Sequence, residues 1–113
     1  MLTLETLNAF GANTAEGMER CLNDESFYLE MVAMALADGN FDVLKTAIDN
    51  GDARAAFAAA HSLKGAIGNV ALTPIYEPVC TLTELLRGKD EPVEGIDVLM
   101  ENILILREKA LSL

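Results

Sequence analysis

His61 is the single histidine in the chain, Lys64 follows it three residues on, and Gly65 and Gly68 lie just beyond. On a helix a lysine at i+3 stands beside the imidazole. Its ammonium is badly placed for keeping the ring protonated and well placed for holding an anion attached to it. Plotted at about 100° per residue, Arg54, Phe57, Ala58, His61, Lys64, Gly65 and Gly68 fall on one side of a helix. Ala56, Ala59, Leu63, Ala66, Ile67 and Val70 fall on the other, as an ordinary core-facing stripe. Each glycine inside the helical run costs roughly 1 kcal/mol relative to alanine. The compensating need is expected to be bare backbone where another macromolecule approaches. None of the 18 acidic residues lies between Ala53 and Tyr76, where even scatter would place about four. A locally positive patch on a negative protein is therefore expected.

The same residues exclude several chemistries. A Ser/His/Asp triad would have to recruit His61, yet Ser62 points about 100° away from it on a helix. Cys21 and Cys80, with one histidine to help them, are too few for a zinc site. They are expected to be reduced, buried thiols. No Gly-rich phosphate loop is present, so the chain has no evident means of binding ATP. What remains for His61 is the role of nucleophile and carrier. An imidazole attacks through a ring nitrogen that carries no proton, so a carrier of this kind needs no separate base.

The run His61-Ser62-Leu63-Lys64-Gly65, followed by Asn69, resembles the signature of the histidine-containing phosphotransfer (HPt) family, His-x-Leu-Lys-Gly-x-x-x-x-x-Gly. The resemblance extends over roughly Asn13 to Ala110 and is specific only around His61. It implies a helical bundle in which His61 accepts a phosphoryl group from a receiver-domain aspartate and passes it to another receiver. Lys64 would balance the added charge of roughly −1.5 to −2, while Gly65 and Gly68 would admit receiver loops. The resemblance assigns Mg²⁺ and the acidic pocket to the receiver, so no cofactor is expected here. The partners it implies are response-regulator receivers and a hybrid sensor histidine kinase. There are two departures from the pattern. Ala71 stands where the family has its later glycine, and Thr83 stands where a Gln or Glu often hydrogen-bonds the histidine ring. The first is expected to affect how the helix ends; the second leaves open what fixes the imidazole. Two rival readings are an interaction module that binds receivers without phosphorylation, and a structural bundle dimerising through a Met-rich face.

At 113 residues and a net charge of −10, the chain fits one soluble, cytoplasmic, monomeric domain that binds neither nucleic acid nor anionic membranes. The initiating Met1 favours a free-standing protein. Half of the residues are apolar, with no Trp and few aromatics, which favours helices. Leu2, Leu4, Leu7 and Phe10 form a short segment stopped by Gly11. Asn13, with Glu16 at N3, caps a second helix through Leu22. These two make a lid over about 2–22, on which Met18 is a docking candidate, though ordinary packing suits it better. Asn23 or Asp24 caps a helix whose Phe27, Met31 and Met34 are expected in the core. It continues past Gly39 to Asn50 as one kinked helix or two end to end. Asp52 caps the histidine helix, and Thr73 with Pro74 at N1 opens the next. There Ile75, Val79, Leu82 and Leu86 form the buried stripe, and Pro78 threatens a kink or a late start. Pro92 opens the last helix, with Ile96, Leu99, Met100, Ile103 and Leu106 inward and Arg107 at its negative end. The expected fold is all-α, an antiparallel up-and-down four-helix bundle over about 24–111 with short N-terminal capping helices. Two further assignments stay open: Arg54 reads equally as a partner contact or a solvated side chain, and Phe57 as docking surface or packing.

Overall fold

Small hydroxyl and amide side chains set where the chain first turns helical. Thr3 accepts from the Thr6 amide at 3.0 Å while its own N–H bonds Thr6 Oγ1 at 3.0 Å. This reciprocal cap starts α1, Leu4–Phe10, which Gly11 ends at φ 106°. Asn13 Oδ1 accepts from the Glu16 amide and starts α2, Thr14–Arg20. The computed structural model describes all residues 1–113, as seven helices and no strand. The others are α3, Glu25–Leu36; α4, Asn40–Asp49; α5, Ala53–Asn69; α6, Thr73–Leu86; and α7, Ile96–Leu111.

Helices α3 and α4 lie end to end as one wall, and α5, α6 and α7 make the other three. The all-helical bundle expected from the periodicity is therefore the observed fold. Of the two readings offered near Gly39, the break is the correct one. Asp38 Oδ1 takes the Asn40 amide at 2.8 Å, so α4 starts afresh. Asp24 and Asp52 cap α3 and α5 by accepting the amides of Phe27 and Ala55. Fully buried Leu36, Leu44, Leu63, Ile67, Leu82 and Met100 belong to one continuous core, each such side chain contributing about 1.5–3 kcal/mol of burial.

Four sequence expectations need correction. Phe27 and Met34 are exposed and Met31 only half-buried; α3 instead buries Tyr28, Val32, Ala35 and Leu36. The helix is apolar nearly all round, so its period alone did not select the inward face. Helix α2 stops at Arg20, because Leu22 and Asn23 turn left-handed. Leu72, not Thr73, holds the N-cap of α6 and makes no side-chain cap, and α6 runs unbroken through Pro78 to Leu86. Pro92 lies in a loop; α7 opens only after Gly95 at φ 81°. Arg107 also reaches further than its own helix end. Its Nε donates to the last carbonyl of α3, Leu36 O, at 2.8 Å, and its guanidinium lies 4.5 Å from the Phe41 ring centre. No helix is long and apolar enough to cross a membrane.

Helices α1 and α2 cover the end of the bundle where α5 stops. Tyr28 is fully buried; its hydroxyl donates to Val70 O at 2.9 Å, and burial raises its pKa, keeping the donor proton in place. A Cβ on Gly17 would sit 2.3 Å from the same ring, so α2 can approach only as glycine. Leu22 sits at φ 59° and is 87 % exposed. The left-handed backbone costs a leucine roughly 1–2 kcal/mol and gains no packing in return. Leu22→Gly is expected to stabilise the protein by about 1 kcal/mol net of chain entropy. A thermal melt raised by about 3–6 °C would show it; an unchanged or lowered Tm would refute it.

Candidate functional site

Helix α5 buries Ala56, Ala59, Ala60, Leu63 and Ile67 and turns the opposite stripe outward. His61, Ala58, Gly65 and Arg54 are exposed, while Lys64, Phe57 and Gly68 are half-buried. The structure thus brings all seven sequence candidates onto one face. A polar cleft of about 470 Å³ opens beside it, where His61, Lys64, Gly65 and Gly68 meet Arg20 of α2 and Tyr76 of α6.

The two glycines differ in what surrounds them. A Cβ on Gly65 would meet nothing within 4 Å, whereas one on Gly68 would lie 2.6 Å from Cε1 of Tyr76. Gly68 therefore has an internal reason, the packing of Tyr76 across it. Gly65 has none.

The carbonyls that end α5 take donors from the lid. Arg20 Nη1 donates to Gly68 O at 2.6 Å, and the Asn13 amide donates to Ala71 O at 2.9 Å. Arg20 also pairs with Glu16 one turn earlier. Ala71, where the resembled pattern has glycine, takes the left-handed conformation at φ 56°. Because Asn13 spends its amide on Ala71, the cap at Asn13 is not the reciprocal box its spacing suggested.

On the other flank Phe57 stacks on His61, ring centres 6.0 Å apart and planes 21° apart. The Arg87 guanidinium lies 5.1 Å from the centre of the Phe57 ring and grips Glu84 through two bonds of 2.9 Å. Hydrogen bonding from Arg87 pulls the Glu84 carboxyl below its usual range, and the charge of nearby Lys64 adds to this. Arg54 Nε bonds Asp90 Oδ1 at 2.5 Å.

The acid-free stretch of sequence is accordingly not an acid-free surface. Glu16, Glu84 and Asp90 arrive from other segments and neutralise Arg20, Arg87 and Arg54. Lys64, one turn from His61, has no carboxylate within ion-pair distance, and neither does Lys89, which lies further along beside Arg54 and Phe57. Thr83 is fully buried and donates its hydroxyl to Val79 O at 2.7 Å, which takes it out of the site. Met18 is half-buried and packs against the core. Cys21 is buried and Cys80 half-buried, both as free thiols.

Arg20, Tyr76, Glu84 and Arg87 were not singled out from sequence. Glu16 and Arg20 form a visible i,i+4 pair, but nothing local says that Arg20 meets a carbonyl 48 residues away.

Among family models, that of the Hpt domain matches residues 28–110 of the 113-residue chain. No curated protein and no solved structure shows a match.

Gly65→Ala separates fold from docking. With open space around the new methyl, the bundle is expected to gain about 0.5–1 kcal/mol from helix propensity. Phosphotransfer with a receiver is expected to slow in the same variant. A melt that rises while transfer stays at the wild-type rate would show that bare backbone at Gly65 serves no partner.

Proposed function

The chain belongs to the Hpt domain family, and from that membership we propose that His61 is its phosphoacceptor. Hpt domains carry phosphoryl groups in phosphorelay signalling and are not kinases. In the proposed step a lone pair on an unprotonated His61 ring nitrogen attacks the phosphorus of a receiver's aspartyl phosphate. A nitrogen–phosphorus bond forms, the acyl oxygen–phosphorus bond breaks, and the electron pair leaves with the aspartate carboxylate. The reverse process with a second receiver aspartate discharges His61.

One observation carries this reading: the only histidine is exposed beside a half-buried Lys64 that meets no carboxylate within ion-pair distance. A free ammonium there balances the incoming phosphoryl charge through charge-assisted hydrogen bonds. Bare backbone at Gly65 leaves room for the receiver loops. Mg²⁺ and the acidic residues that bind it are assigned to the receiver. Response-regulator receivers, with a hybrid sensor kinase upstream, are the partners proposed for this face.

The test mixes the protein with phosphorylated receiver domains and Mg²⁺ and follows acid-labile phosphate. Label is expected on wild type and absent from His61→Gln. Lys64→Gln is expected to keep the label but accept it about tenfold more slowly, a barrier change of about 1.4 kcal/mol. Tight receiver binding with no label on wild type would overturn the carrier role and assign the chain to receiver binding alone.

A further inference from the structure

We propose that Phe57 is a positioning residue that holds the His61 imidazole in one plane for phosphoryl transfer, itself held by the Arg87–Glu84 pair of α6. The inference rests on the carrier reading of His61 and deepens it. A histidine's χ2 is a broad torsion with shallow wells, so an exposed imidazole turns unless something meets its face. In-line attack on phosphorus requires the nitrogen lone pair to point at the donor, and misalignment costs rate steeply. Thr83, which stands where the family pattern often has a ring-binding Gln or Glu, spends its hydroxyl on Val79. What meets the ring instead is Phe57, 6.0 Å away and within 21° of parallel. Aromatic pairs at such separations have a preferred geometry.

Phe57 is fixed in turn from two sides. Its half-buried ring packs against the core. The Arg87 guanidinium covers it at 5.1 Å, an arrangement favoured by the negative face of the ring. Both arms of the Arg87 fork close on Glu84 at 2.9 Å, which fixes the plane of the guanidinium. The result is a continuous contact from α6 to the reacting group: Glu84, Arg87, Phe57, His61.

The single histidine makes the inference directly readable, since every imidazole signal in the NMR spectrum of the full chain belongs to His61. Phe57→Leu is expected to move the His61 ring-proton resonances toward those of free histidine, as the aromatic ring current is removed. Phe57→Tyr, which keeps the ring, is expected to restore them. Arg87→Gln, on an exposed residue, is expected to move them part of the way without affecting the fold. In transfer assays with a phosphorylated receiver, Phe57→Leu is expected to lower kcat about tenfold with KM changed less than about twofold. Labelling by phosphoramidate, a small donor able to approach from any direction, is expected to change less than about twofold.

Four results would each overturn the proposal. His61 resonances unmoved in folded Phe57→Leu and Arg87→Gln would show that the stack constrains nothing. A raised KM with unchanged kcat would make Phe57 a docking contact. A wild type that takes no label from phosphoramidate or receiver would remove the carrier reading, and this inference with it. Wild type that labels normally while the variants behave like it would remove the inference alone.

Discussion

The structure depends on how the last carbonyls of α5 are satisfied. A helix leaves its final carbonyls without partners, and burying one unpaired costs about 1–3 kcal/mol. Here the buried Val70 carbonyl accepts from the Tyr28 hydroxyl and Ala71 from the Asn13 amide, while Gly68, which already takes the Ala71 amide, also accepts from the exposed Arg20 guanidinium. Three donors, from the two ends of α2 and from α3, converge on four consecutive residues. The convergence dictates the rest: Tyr28 must be buried to reach Val70, and Gly17 must lack a side chain for α2 to lie over Tyr28. Arg20 and Glu16 are thereby brought to the edge of the cleft beside His61.

The charge arrangement follows from the same packing. The chain holds 18 acidic residues against eight lysines and arginines. Arg20, Arg54 and Arg87 each meet a carboxylate around α5. All three pairs are exposed, where such contacts contribute only about 0–1 kcal/mol. Their effect is local: they offset the guanidinium charges around α5, and of the two cations lining the His61 cleft, Arg20 and Lys64, only Lys64 is left without a carboxylate partner. A single available cation next to a single histidine is a narrower device than a broad basic patch.

Much of this was legible in the sequence because helices report themselves through periodicity, caps and breakers. Asp24, Asp52 and Gly11 act where local chemistry puts them, and the buried stripes of α5 and α6 follow their spacing. The inward face of α3 was not legible, since Phe27, Met31 and Met34 are as apolar as the side chains that packing buries. Nor was the start of α7, where Gly95 rather than Pro92 sets the boundary. Within the site, the α5 residues could be found because one helix carries them all at helical spacing. Arg20, Glu84 and Arg87 could not, because their contacts with α5 are fixed by how helices pack and leave no trace in spacing along the chain. Gly68 shows the limit most clearly. Its position on the helix is the same whether a partner's backbone or its own Tyr76 comes close, and only coordinates distinguish the two.

The lid also bears on where the working unit begins. The family match opens at residue 28, yet Asn13, Gly17 and Arg20 all lie before it and complete the end of the helix that bears His61. The boundary drawn by shared sequence therefore passes through a hydrogen-bonded assembly. A fragment cut there would take the Asn13 amide from the Ala71 carbonyl and the Arg20 guanidinium from that of Gly68, and uncover one face of Tyr28. Inheritance and architecture divide this chain at different places: the first preserves the bundle, and the second requires the lid as well.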